Sequence, residues 1–233
     1  MTTAHNQEQA SLFLDSADLG DAGRAATSGI VGGITTNPSI MGLAREAHPQ
    51  RLLELLATFE NGPVFYQLTA RDPSEAQAEI RRVDELTVRY RDRVVFKLPA
   101  QEWLYPVGAR LAAARREVAF TAVYSEGQAL AAAAAGATWL IPYVDRAARL
   151  DAAAGPVVPR LAAVAPLGLR ILAASIKSPE QAVQAVLDGA SGVTTTWPVL
   201  AGLMGHSLTD SAVDTFTAAL NQLAGNLQAT PTD

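Results

Sequence analysis

Lysine occurs only twice in this 233-residue chain, at Lys97 and Lys177, while the other sixteen of its eighteen basic residues are arginine. A guanidinium stays protonated and cannot condense with a carbonyl, so side-chain amine chemistry has only these two seats. Lys97 lies within Val94-Val95-Phe96-Lys97-Leu98-Pro99. Apolar neighbours of that kind desolvate an ammonium and lower its pKa, which favours a neutral amine able to attack a ketone. A buried lysine paired with Asp15 for structural reasons fits the same residues. Lys177 follows Ser175 and precedes Ser178. It reads equally as a contact for a phosphate group or as a solvated loop lysine.

Asp15 closes the apolar run Phe13-Leu14-Asp15. A carboxylate there can shuttle protons or hold the lysine ammonium, and it can also cap a following short helix. Arg146 has the donor fork that suits phosphate, although Asp145 beside it offers a surface salt bridge instead. Other polar residues interrupt apolar runs near their ends: Thr35 with Thr36 and Asn37, Gln67, Thr121, Tyr143, Ser175 and Thr196. These act together only if the fold brings distant run ends to one place.

Eight strand-like runs recur along the chain: 12–17, 30–36, 64–70, 94–99, 118–124, 138–144, 169–175 and 193–197. Helical segments lie between most of them, as where Ala76, Ile80, Val83, Leu86 and Tyr90 recur every three or four residues to make one apolar stripe. Three helix starts carry the spacing of a capping box, at Asp72/Glu75, Ser125/Gln128 and Ser178/Gln181. Alternating β and α units with strands apolar on both faces predict a parallel sheet, and eight units in about 215 residues predict a single-domain (β/α)8 TIM barrel over residues 11–225. An open doubly wound sheet is the alternative, without a G-x-G-x-x-G loop to favour it. In a barrel, the C-terminal strand ends share one mouth. Residues 1–10 and 226–233 read as loose tails, and an extra C-terminal helix around 210–223 presents Val213, Phe216, Leu220 and Leu223 on one side.

Composition narrows the chemistry. An apolar content of 49% is enough for one closed core, and the net charge of -5 disfavours a general nucleic-acid surface while leaving room for a local cationic pocket. With no cysteine, and with His5, His48 and His206 scattered without ligand spacing, neither a metal nor another cofactor is expected. No secretion signal or membrane span is read, which makes a cytoplasmic protein acting on small molecules the expectation, with no nucleic-acid or membrane partner.

Leu14-Asp15-Ser16-Ala17-Asp18, Gly33-Ile34-Thr35-Thr36-Asn37-Pro38-Ser39, Val95-Phe96-Lys97-Leu98-Pro99, Thr121-Ala122-Val123-Tyr124, Pro142-Tyr143-Val144-Asp145-Arg146 and Ala173-Ala174-Ser175-Ile176-Lys177 follow one another in order. Over about residues 12–222 this series resembles the small transaldolase and fructose-6-phosphate aldolase family. The resemblance implies a class I Schiff-base enzyme of ketose phosphates with Lys97 as the amine and Asp15 handling protons at the C4 hydroxyl. It also implies that Asn37 holds substrate hydroxyls, that Thr121 positions a catalytic water, and that Arg146 and Ser175 bind phosphate; Thr36 beside Asn37, and Lys177, are further candidates for binding substrate. Gln67 and Tyr143 stand where family transaldolases generally carry Glu and Phe, and match the aldolase pair. That leans the reading toward aldolase cleavage, with transfer of the dihydroxyacetone unit to an aldose phosphate as the alternative and a non-catalytic sugar-phosphate-binding barrel as a third. Ile141, Asp145, Trp197 and the segment 100–106, with Tyr105, depart from the family pattern, and Tyr105, Ile141 and Trp197 are expected near the acceptor end. A ring-shaped homo-oligomer, pentamer or decamer, is further implied.

Overall fold

A computed structural model describes residues 11–42, 47–166 and 168–228, with side chains of the last helix described to residue 222. Eight parallel strands close into a barrel in sequence order: β1 (Ser11–Asp15), β2 (Val31–Thr35), β3 (Val64–Gln67), β4 (Val94–Pro99), β5 (Val118–Val123), β6 (Trp139–Pro142), β7 (Arg170–Ala173) and β8 (Gly192–Thr195). The helices are α1 (Leu19–Ser28), α2 (Pro38–Met41), α3 (His48–Thr58), α4 (Pro73–Leu86), α5 (Tyr105–Ala113), α6 (Glu126–Ala134), α7 (Val144–Leu150), α8 (Val157–Ala162), α9 (Pro179–Leu187), α10 (Trp197–Met204) and α11 (Ser207–Gln228). The predicted (β/α)8 barrel with an added C-terminal helix is therefore the fold, and the open sheet is excluded. Most strands stop one to three residues short of the predicted runs. The run predicted over 193–197 ends at Thr195, with Trp197 opening α10.

Strand alternation sorts side chains between barrel interior and helix layer. On β4, Val95 and Lys97 point inward while Phe96 points outward, where the Arg116 guanidinium lies 4.9 Å from its ring centroid. Phe13, Phe65 and Trp139 meet edge to face inside the barrel with centroids 5.6–5.8 Å apart, the arrangement that aromatic quadrupoles favour. Val95, Ala119, Ile141, Leu172 and Ala174 complete this apolar cluster. Small residues let the strands close around it. A Cβ on Gly192 would run into the Ser11 carbonyl, and one on Gly62 into that of Gly32.

Capping follows the sequence signals with one refinement. Ser125 and Gln128 form a reciprocal box, whereas Asp72 and Ser178 each accept from the backbone N–H three residues on. Their partner side chains reach one residue further back, with Glu75 accepting from Arg71 N–H and Gln181 from Lys177 N–H at 2.8 Å. The second of these bonds pins the backbone of Lys177 beside the mouth.

By its internal contacts the chain divides into two compact units, Met1–Leu200 and Ala201–Asp233. The second contains α11, which remains helical to Gln228, three residues into the predicted tail. Val213, Phe216 and Leu220 on it are each more than half exposed, and Leu223 lies outside the described side chains. Residues 1–10 and 229–233 of the predicted tails lie outside the described residues. Among the described residues no helix is long and apolar enough to cross a membrane.

Candidate active site

A cavity of about 420 Å³ opens among the C-terminal ends of the strands. It falls within the size range of small-molecule sites. Above the aromatic cluster, each next inward position is polar or flanks the cavity: Asp15 above Phe13, Gln67 above Phe65, Lys97 above Val95 and Tyr143 above Ile141. Parallel register places Asp15 beside Thr35 and Gln67 beside Lys97. Residues that are far apart in sequence thus become neighbours because successive strands are.

Lys97 is 2% exposed and makes no ion pair among the described residues. Burial lowers its pKa to about 8, against a smaller upward pull from the charge of Asp15. Roughly a fifth of the amine is then neutral near pH 7.4, compared with about 0.1% for an unperturbed lysine. The structural pairing of Lys97 with Asp15 does not form. Asp15 Oδ1 instead accepts a hydrogen bond from Thr35 Oγ1 at 2.6 Å, and Thr35 Oγ1 lies 2.7 Å from Thr194 Oγ1.

Tyr143 and Gln67 supply poised polar groups. Burial, the largest influence, raises the Tyr143 pKa, so its phenol keeps its proton at neutral pH. Thr121 donates to the Tyr143 hydroxyl at 3.2 Å, leaving the phenolic proton free for another acceptor. Gln67 Oε1 is buried without a donor among the described residues, an acceptor available to a group entering the cavity. Tyr143 is flanked by two non-glycine residues in the left-handed region, Ala122 (φ 56°) on one neighbouring strand and Ser175 (φ 60°) just beyond the other. Such conformations cost about 1 kcal/mol or more each and recur where a site is held in a fixed geometry. The Ala122 turn coincides with the register shift between β5 and β6.

At the outer end, Arg146, Ser175 and Lys177 line the cavity. Asp145 is held by Arg149 at 2.8 Å, one turn along α7, and does not pair with Arg146. The Arg146 guanidinium instead lies 5.0 Å from the Tyr143 ring centroid, within cation–π range. Two exposed cations, neither with a carboxylate partner among the described residues, therefore face the same cavity. Asn37 lines it too; its Oδ1 caps α2 by accepting from Ile40 N–H at 3.0 Å, which leaves its amide N–H groups for other acceptors.

A family model described as transaldolase/fructose-6-phosphate aldolase matches residues 12–232. The chain belongs to that family. It is 32% identical over 216 residues to a probable transaldolase of Thermus thermophilus, covering 88% of this chain and 95% of the relative. Probable transaldolases of Symbiobacterium thermophilum and Sorangium cellulosum are 31% and 32% identical, covering 88% and 89% of this chain and 94% and 95% of the relatives. The protein is accordingly an enzyme of the transaldolase/fructose-6-phosphate aldolase kind.

Within this family member, Lys97, Asp15, Gln67, Tyr143, Asn37, Arg146, Ser175 and Lys177 converge on one cavity, and Thr121 reaches it through Tyr143. Thr36 does not. It is fully buried, and its hydroxyl donates to the Phe65 carbonyl at 2.8 Å, because alternation turns it to the opposite side from Thr35. Of the two threonines linked to Asp15, the sequence reading names Thr35 only as a polar strand end, without a role, and does not name Thr194. Of the residues expected near the acceptor end, Ile141 lines the cavity; Tyr105 stacks on Phe120 at 4.7 Å, and Trp197 lies under Arg24. Among the described residues no group of three or more histidine or carboxylate side chains is placed to hold a metal ion.

Proposed function

We propose that the enzyme breaks and forms the C3–C4 bond of ketose phosphates through a Schiff base on Lys97, with release of dihydroxyacetone as its principal course. The observation that carries this reading is a nearly fully buried amine with a lowered pKa in the same cavity as a single carboxylate. Neutral Lys97 Nζ adds to the C2 carbonyl, and loss of water leaves an iminium. Asp15 takes the C4 hydroxyl proton as the C3–C4 bonding pair moves toward the iminium. An aldehyde departs, and the dihydroxyacetone enamine stays on Lys97. Arg146, Ser175 and Lys177 are suited to the distal phosphate, with Arg146 free of Asp145.

Tyr143 favours the aldolase course, since a protonated phenol can relay a proton through water to the enamine carbon, which is then hydrolysed off the lysine. Transfer of the enamine to an aldose phosphate is the second reading, favoured by the name probable transaldolase that the relatives carry. Product analysis with fructose 6-phosphate separates the two. Free dihydroxyacetone without an acceptor is the expected result; turnover only when erythrose 4-phosphate is added, giving a lengthened ketose, makes the protein a transaldolase.

A homo-oligomer belongs to the same proposal, supported by the exposed apolar residues Val213, Phe216 and Leu220 of α11. Sedimentation at micromolar concentration is expected to give a mass several times 24.5 kDa, and a monomer would overturn that part.

A further inference from the structure

The hydrogen bond between Thr35 and Thr194 joins β2 to β8, strands that flank β1 on either side without touching each other in the sheet. It crosses the barrel interior in front of β1 and ends on the carboxylate that β1 carries. Both hydroxyl residues are 1% exposed, so neither oxygen is bulk-hydrated. A hydroxyl has one proton to donate. Thr35 gives its proton to Asp15 Oδ1, which as a carboxylate can only accept. The 2.7 Å contact is therefore made by Thr194 donating to Thr35. Thr194 has no second side-chain hydrogen bond among the described residues, so nothing competes for its proton.

We propose that Thr194 is a positioning residue that, through Thr35, keeps Asp15 Oδ1 occupied as an acceptor and commits proton transfer with the substrate to Oδ2. The inference rests on the Schiff-base reading above. Asp15 lines the cavity, and its Oδ2 has no hydrogen-bond donor among the described residues. In the cleavage step the C4 O–H bond breaks and Oδ2–H forms. The O–H pair becomes the second bond of the departing aldehyde's C=O, and the C3–C4 pair becomes the enamine double bond as the iminium nitrogen is neutralised. A proton placed on Oδ1 would instead force the chain to reverse, leaving Thr194 to donate to no protein acceptor. The polarised chain thus keeps the proton on the side from which it must be returned.

Removing the Thr194 hydroxyl frees Thr35 to rotate and releases Oδ1, without touching the lysine. In Thr194→Val, fructose 6-phosphate cleavage is expected to fall about tenfold in kcat with KM changed less than about twofold, the pattern for an interaction used in the transition state rather than in binding. Borohydride trapping of dihydroxyacetone on Lys97 should persist, and Thr194→Ser should return kcat to within about twofold of the unaltered enzyme. An unimpaired Thr194→Val, or a Thr194→Ser as slow as it, overturns the positioning role alone. Failure to trap dihydroxyacetone on the unaltered enzyme overturns the Schiff-base reading, and this inference with it. Should Thr194→Val lose its thermal transition, Thr194→Cys takes its place: serine faster than cysteine supports the role, and equal rates reject it.

Discussion

Lys97→Met is expected to lose at least about four orders of magnitude in kcat while keeping or raising the melting temperature. Covalent catalysis has no substitute once its nucleophile is gone, because the remaining groups act on an iminium that never forms. Methionine nearly matches the volume of the lysine stem and carries no charge into a position that is 2% exposed, so the fold has nothing to lose from the exchange. Borohydride with a ketose should label the unaltered enzyme at Lys97 and leave the variant unlabelled, as peptide mass analysis would show. The sign of the pH dependence follows from the same group. Its pKa is lowered to about 8, and only the deprotonated amine attacks. The rate of adduct formation should therefore rise about tenfold per pH unit below that value and level off above it. A midpoint near the usual lysine value would remove desolvation as the activating cause. Labelling confined to Lys177 would transfer the chemistry elsewhere.

Asp15→Asn should separate two effects that a simple loss of activity would merge. In the proposed mechanism the carboxylate accepts the proton in cleavage, and general-base contributions of this kind run to about 10²–10⁴-fold, so kcat should fall by roughly that factor. Its charge also raises the Lys97 pKa, so the variant's adduct-formation midpoint should move below about 8. More of the amine is then neutral at pH 7, yet the carbon–carbon bond breaks more slowly. The combination to look for is retained or faster trapping with dihydroxyacetone alongside slow cleavage of fructose 6-phosphate. Loss of both would mean that Asp15 is needed for forming the Schiff base itself, and undiminished cleavage would remove it as the proton acceptor.

The cation pair at the outer end shows how a local sequence reading can miss by one helical turn. Asp145 stands beside Arg146 in the chain, but successive helical residues point about 100° apart, and it pairs with Arg149 four positions on. Thr35 and Thr36 show the strand counterpart. Both are polar and adjacent, and the period of two sends one to Asp15 and the other to the Phe65 carbonyl. Thr36, a candidate for binding substrate by its place beside Asn37, therefore turns away from the cavity that Thr35 lines. Of the three threonines 194–196, the exposed Thr196 reads as a strand end from the sequence, whereas Thr194 faces the interior.

By itself the sequence determined the architecture and the family, and pointed to the amine on which the proposed chemistry rests. The alternation of strand and helix periods is local, and eight repeats of it admit few closed arrangements. The scarcity of lysine and the apolar run around Lys97 were equally legible, because desolvation by immediate neighbours needs no partner from elsewhere. The tertiary structure alone decided which groups are joined by hydrogen bonds. Strands β1, β2 and β8 meet only when the barrel closes, and the contact between Thr35 and Thr194 spans 159 positions of chain. Hydrogen bonds depend on tenths of an ångström and on the direction of one O–H bond, and both are set by inter-strand register, which no run of residues specifies without its neighbours in place.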